Sequence, residues 1–281
     1  MADWICNGKV VETISINDRG LQYGDGLFET VAIRDGEPRL WAYHMERLAK
    51  GCELLGFTMP SKKALLEGVF EALATNGVPS TYAVAKIIIS AGAGKRGYAR
   101  GSVESPTVLI GGFESERPSA DAYRDGVGIM VCKTRLATGS AFAGLKTLNR
   151  LEQVAAQSEV KEEDAYEGLT MDADGNLICG TMSNVFFIKD NCISTPPLDR
   201  CGVAGVMRRH IIETLHENGI QIDFRHTNPS DLSSLDELFL SNSQFGVVPV
   251  NKCGDNAWQV GEHVRTVMAI LANNGVDECR Q

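Results

Sequence analysis

Short runs of β-branched residues alternate along this chain with stretches whose apolar positions recur every three or four residues. Tyr82 to Ser90, YAVAKIIIS, predicts a strand, and Thr107 to Ile110 predicts a second. Ser61 is placed to cap a helix that runs to an Asn76-Gly77 stop, with Leu66, Phe70 and Leu73 as its apolar face. Further along, strands are expected at Val127 to Lys133, Val185 to Ile188, Ile220 to Phe224 and Leu238 to Ser241. Helices are expected from about Thr147 to Val160, from Val206 to Asn218 on a Met207, Ile211 and Leu215 face, and finally on Val264, Val267, Met268 and Leu271. Asp172 to Gly175 reads as a turn between two strands. Strands and helices are interspersed in both halves, so the fold class is α/β or α+β. Gly111 to Gly126 is polar, carries Gly and Pro, and separates two apolar strands. It predicts a smaller N-terminal α/β domain at 1–110, a linker at 111–126 and a larger C-terminal domain at 127–281.

Composition narrows the function classes. The 281 residues are 43% hydrophobic and 22% charged, a globular balance. Lys and Arg number 27 against 36 Asp and Glu, so the net charge of -9 disfavours a nucleic-acid surface. No apolar run approaches the ~18 residues of a membrane span. The Met1-Ala2-Asp3-Trp4 start lacks the features of a secretory signal, so a cytoplasmic protein is expected. The eight cysteines are scattered without a C-x-x-C pair and read as reduced thiols. The five histidines are equally dispersed, and no metal site is expected.

Three segments have the chemistry of a site. Lys86 interrupts an apolar strand, and Lys146 follows SAFAGL and opens the helix TLNRLEQVAAQ. Apolar surroundings and a helix N-terminus both favour a neutral amine, which a Schiff base requires. The plainer alternative is a solvated lysine at a turn. Asp199 to Met207, DRCGVAGVM, carries Gly202 and Gly205 ahead of a helix, which suits a phosphate or is simply a glycine-containing loop. Gly92 to Tyr98, GAGKRGY, displays two cations and a phenol, as an anion site or a hairpin tip. The acidic Lys161 to Asp164 stretch reads as a solvated face.

Taken in order, these pieces resemble one known group. Asp18 to Thr30, DRGLQYGDGLFET, is similar to the opening motif of the fold-type IV pyridoxal-phosphate enzymes, the class IV aminotransferase family. His44 to Leu48, Lys146 to Gln153, Gly180 to Phe186 and Gly202 to Arg208 resemble its later motifs, in family order. The resemblance runs from about residue 4 to 250 and implies a two-domain fold like that of D-amino-acid aminotransferase. Gly94 to Tyr98, Phe28-Glu-Thr30 and the KTLNRLEQV string look most like the family's aminodeoxychorismate lyases. Those enzymes cleave 4-amino-4-deoxychorismate to 4-aminobenzoate and pyruvate, toward folate.

The resemblance implies pyridoxal 5'-phosphate as cofactor, held by Lys146 as a Schiff base. It implies Arg47 for the cofactor phosphate, joined by backbone N–H groups of Val206 and Met207 and by Ser243. It implies Arg96, Tyr98, Lys86, Tyr23 and Asn242 as substrate contacts. Lys146 would remove the ring C4 proton and Thr30 would protonate the departing enolpyruvyl carbon. A homodimer is also implied, as is a functional link to aminodeoxychorismate synthase, which supplies the unstable substrate. Two positions depart from the pattern. Cys179 stands where the family has a glutamate for the pyridine nitrogen, and a thiol is a poor partner for a pyridinium. Ala91 stands where lyases often carry arginine. The alternatives are an aminotransferase of the same fold acting on D- or branched-chain amino acids, and a non-catalytic cofactor-binding protein.

Overall fold

The computed structural model describes residues 2–280. The chain forms two compact units. One comprises residues up to Glu116 together with Leu145–Asn149, and the other Arg117–Gly144 and the chain from Arg150 onward.

The first unit contains β1 (Trp4–Cys6), β2 (Lys9–Val11), α1 (Arg19–Tyr23), β3 (Gly26–Arg34), β4 (Glu37–Pro38), α2 (Trp41–Leu55), α3 (Lys62–Thr75), β5 (Tyr82–Ser90) and β6 (Thr107–Glu114). Its strands form one antiparallel sheet in the order β2-β1-β6-β5-β3-β4. Alternation fixes the register. Ala83, Ala85, Ile87 and Ile89 of β5 are buried, and so are Leu27, Val31 and Ile33 of β3. They join Met45, Leu48 and Cys52 of α2 and Leu65, Val69, Ala72 and Leu73 of α3 in one core. Ser61 caps α3 through Oγ and the Ala64 N–H, as the sequence predicts. The buried face of α3 is rotated by one residue from the expected one, because Leu65 and Val69 face the sheet while Leu66 and Phe70 are half-buried.

The second unit contains α4 (Ala120–Arg124), β7 (Val127–Arg135), α5 (Leu151–Glu162), β8 (Glu167–Met171), β9 (Leu177–Gly180), β10 (Asn184–Lys189), β11 (Cys192–Thr195), α6 (Val206–Glu217), β12 (Ile222–Phe224), β13 (Glu237–Asn242), β14 (Gly246–Cys253), β15 (Asn256–Ala257) and α7 (Glu262–Ala272). Its mixed sheet runs β12-β11-β10-β13-β14-β7-β8-β9, with β15 paired to β14. Asn184 to Ile188 of β10 are all buried, and Phe186 stacks on Phe239 of β13 with ring centroids 4.7 Å apart. Met207, Ile211 and Leu215 of α6 are buried, as are Val264, Val267, Met268 and Leu271 of α7. The cysteines carry no disulfide. No helix among the described residues is long and apolar enough to cross a membrane.

Two boundaries differ from the sequence reading. Gly111–Glu114 continue β6, and Ala120–Arg124 form α4, capped by Ser119 Oγ on the Ala122 N–H. The stretch expected as a linker is therefore largely structured, since paired backbone in β6 outweighs the glycine and charge content. The helix expected from Thr147 begins at Leu151. The amide of Leu148 donates to the Gly26 carbonyl, and the Lys146 carbonyl accepts from Phe28. Backbone groups that a helix would need are already committed to β3.

Gly112 of β6 is where the sheet meets α3 most closely. A Cβ there would lie 2.8 Å from the Leu73 nitrogen and 2.9 Å from both the carbonyl carbon and oxygen of Ala72. Gly112→Ala should destabilise the protein by roughly 1–3 kcal/mol. Gly128→Ala, with nothing within 4 Å of its Cβ, should be near neutral. Urea unfolding of both variants checks this.

Candidate active site

Lys146 belongs to the first unit, on an extended segment laid along β3. Leu27 and Thr147 form a bridge, flanked by the Phe28-to-Lys146 and Leu148-to-Gly26 hydrogen bonds at 2.9 and 3.0 Å. No helix N-terminus adjoins the lysine, so the dipole argument made from sequence does not apply. The ammonium side chain instead lies over an aromatic face, with Nζ 4.3 Å from the Phe28 ring centroid. Lys86 Nζ approaches the same ring at 5.3 Å, and Lys86 pairs with Thr30 across β5 and β3. Phe28, Thr30, Lys86 and Lys146 therefore gather on one face of this sheet.

The alternate residue, Glu29, points to the other face and is 1% exposed. Its carboxylate accepts from Arg47 Nε at 2.8 Å, from Arg47 Nη2 at 2.5 Å and from His44 Nδ1 at 2.6 Å. Burial opposes its charge, but Arg47 and His44 outweigh burial and hold the carboxyl at about 2. Burial also lowers the His44 value, more than Glu29 restores it. His44 is thus neutral with its proton on Nδ1, and Nε2 is a buried acceptor without a partner. Sequence reasoning gave Arg47 a phosphate. The structure adds that a buried carboxylate fixes the orientation of its guanidinium. Glu29 and His44 lay inside the quoted motifs without a role, and no sequence signal tied them together.

Arg96 and Tyr98 are exposed on the loop joining β5 and β6, Tyr98 at 86%. Tyr23 Oη accepts the Gly97 N–H at 3.0 Å, and its ring meets Tyr98 edge-on at 5.5 Å. Tyr23 thus contacts the loop that carries two of the expected substrate residues.

In the second unit the turn after β9 is built on Glu167 of β8, which is 1% exposed. Its carboxylate accepts from the N–H groups of Gly168, Thr181 and Met182 and from the hydroxyls of Thr181 and Ser183. Five donors make a buried carboxylate tolerable and leave it no spare role. Cys179 precedes this turn within an apolar cluster of Leu136, Ile178, Leu198 and Cys201. Its Sγ lies 3.5 Å from Thr170 Oγ1. Burial pushes the thiol up to about 11, so it is uncharged at neutral pH.

Asn184 Nδ2 donates to the Val203 carbonyl at 3.0 Å, and its Oδ1 fills the space where a Gly205 side chain would go. Gly205 is the N-cap of α6, and no side chain caps the first turn, which opens with Val206 and Met207. Across the sheet from Asn184, Ser241 is fully buried and its Oγ has no partner. An uncapped helix start, a glycine that admits close approach and an orphaned hydroxyl are the donor set a phosphate requires. Within the first unit, Arg47 offers a guanidinium that suits a phosphate, and Lys146 offers an amine on an aromatic face that suits an aldehyde. Asn242 uses its carboxamide locally, Oδ1 accepting the Gln244 and Phe245 N–H groups at 2.9 and 3.0 Å. Ser243 follows it directly.

Comparison with known proteins gives a family and a fold. The amino-transferase class IV family matches residues 26–253. The aminodeoxychorismate lyase of Vibrio harveyi is 35% identical over 88% of this chain and 90% of its own length. A crystal structure of 4-amino-4-deoxychorismate lyase from Pseudomonas aeruginosa superimposes with a TM-score of 0.89 at 37% identity, over 97% of this chain and 99% of that one. A branched-chain amino acid aminotransferase from Escherichia coli shares the fold, with a TM-score of 0.85 at 23% identity over 99% of this chain and 95% of that one.

The Glu29 cluster has a signature in pH. The folded value of about 2 lies below the ordinary 4.5, so its stabilisation is complete above 4.5 and fades as pH falls toward 2. Glu29→Gln should cost on the order of 3 kcal/mol at neutral pH. The difference from the parent protein should shrink at pH 3. Urea unfolding at both pH values measures it.

Proposed function

The chain belongs to the amino-transferase class IV family, and on that premise we propose that it is a pyridoxal-phosphate lyase converting 4-amino-4-deoxychorismate to 4-aminobenzoate and pyruvate. The observation that carries this reading is the shared face of Phe28, Thr30, Lys86 and Lys146. It groups an amine, a hydroxyl and a second cation, which suits proton transfer on an anionic substrate. The two lyases at 35% and 37% identity support it.

When bound, the cofactor supplies an electron sink conjugated to the substrate nitrogen. The protein's residues do the rest. Arg47, oriented by Glu29, pairs with the cofactor phosphate. The N–H groups of Val206 and Met207, with Ser243, donate to it as well. Lys146 accepts the proton from ring C4. The bond from the ring to the enolpyruvyl oxygen breaks, and the ring becomes aromatic. Thr30 delivers a proton to the enolpyruvyl methylene carbon, which leaves as pyruvate. Lys86 and Arg96 neutralise the two substrate carboxylates and the Tyr98 hydroxyl donates to one of them, a local positive patch that a protein of net charge -9 needs. The reading includes a homodimer. It accords with exposed Leu151, Val154 and Met182 in the second unit.

The test is to supply the holoprotein with freshly generated aminodeoxychorismate and measure both products. Equal amounts of 4-aminobenzoate and pyruvate are expected. Lys146→Ala should lower turnover by roughly a thousandfold or more, and Thr30→Ala by roughly a hundredfold. No product, with amino-acid-dependent keto-acid exchange instead, would make the protein an aminotransferase.

Cys179 supplies a second prediction. It is neutral where the family carries a carboxylate, so a ring nitrogen beside it gains no counterion. Aromatisation drives the elimination and lessens the need for that counterion, whereas transamination depends on it. Cys179→Glu should therefore raise an aminotransferase side activity more than it raises lyase turnover. A larger gain in the lyase reaction contradicts this account.

A further inference from the structure

The loop between β5 and β6 shows Lys95, Arg96 and Tyr98 to solvent, yet it is tied down from beneath by one buried arginine. The Arg19 side chain is 6% exposed. Its Nη1 donates to the Gly97 carbonyl at 2.7 Å and, at 3.4 Å, to that of Lys95. Its Nη2 donates to the Tyr98 carbonyl at 3.1 Å, and Nε to Asp25 at 2.9 Å. Asp25 is shared with Arg100, which reaches it through Nε at 2.7 Å and Nη2 at 3.0 Å. The Arg19 guanidinium also lies 4.7 Å from the Tyr23 ring centroid, and the Tyr23 hydroxyl accepts the Gly97 N–H. A Cβ on Gly94 would come within 3.0 Å of Arg19 Cδ, so the loop rests directly on the arginine stem. Only a planar fork of donors can meet several carbonyls of one loop and a carboxylate together, and a lysine presents a single point of charge.

We infer that Arg19 is a positioning residue that holds Arg96 and Tyr98 ready for a substrate bearing two carboxylates. The inference rests on the proposed reading of those two residues as carboxylate contacts. A loop fixed before binding spares the substrate the cost of ordering it. The two guanidinium groups beneath it share one carboxylate, so the support is itself net cationic and strengthens the field toward an anion. The Arg19 guanidinium spends its hydrogen bonds on the loop carbonyls and Asp25, so its effect falls on recognition and not on proton transfer.

Trypsin reads the clamp directly, because Lys95 and Arg96 are cleavage sites within the held loop. The holoprotein should resist cutting at these two bonds, whereas Arg19→Lys should yield fragments beginning at Arg96 or Gly97. With aminodeoxychorismate, Arg19→Lys should raise KM roughly tenfold and keep kcat within about twofold. Tyr23→Phe removes the acceptor for Gly97 and should show the loss of protection in smaller measure, and it carries the trypsin comparison if Arg19→Lys does not fold. Unchanged protection in these variants overturns the clamp. Cleavage with an unchanged KM overturns its part in recognition. Should the parent protein not cleave aminodeoxychorismate, the proposed function fails, and the trypsin comparison still decides whether Arg19 holds the loop.

Discussion

Two backbone hydrogen bonds between β3 and the segment Leu145–Asn149 set the position of everything that follows. They draw five residues into the first unit while the chain on either side belongs to the second. Lys146 is thereby fixed as part of a sheet edge and not as the start of a helix. A lysine on a paired segment has its Cα held by the ladder, so only its own side-chain torsions remain free. The same pairing brings it onto the Phe28 face, where Thr30 and Lys86 already project by alternation. A group that must act at one atom gains from such a base, because small displacements of a reacting amine are costly.

Each unit also contains a buried carboxylate that organises its surroundings. Glu29 takes two donors from Arg47 and one from His44, and Glu167 takes four from the turn that follows Cys179 and one from Gly168. A carboxylate removed from water survives as an anion only with such company. The arrangement reverses the usual expectation that acidic residues in a site act as acids or bases. Glu29 holds a guanidinium in one orientation, and Glu167 holds backbone amides. Cys179, in the second unit, is neutral. Both carboxylates are thus structural, and the proposed proton transfers fall to an amine and a hydroxyl, Lys146 and Thr30.

The exposed loop of the first unit follows a related rule. Its cations are at the surface, but its geometry is set from the interior by Arg19 and Asp25. Display and support are separate residues, which lets the surface positions meet an anion without themselves being consumed in holding the loop.

Much of this was legible in the residues alone. The β-branched content of YAVAKIIIS marked β5 to its end residues, and Ser61 marked the start of α3, because both signals depend only on neighbours in sequence. The ordered motifs pointed to the family, Lys146 and the Gly205–Met207 helix start stood out by residue type, and the resemblance added Arg47 and Thr30. What sequence could not supply was long-range pairing. The late start of α5, the ion cluster joining Glu29 to His44 and Arg47, and the hold of Arg19 on residues 76 to 79 positions away each depend on partners distant in the chain. Local pattern favoured a helix from about Thr147, but two ladder bonds to β3 outweighed it in its first residues. Residue identity determined which chemistry was available. Tertiary structure decided which of those groups face each other, because burial and pairing are properties of neighbours in space and not in sequence.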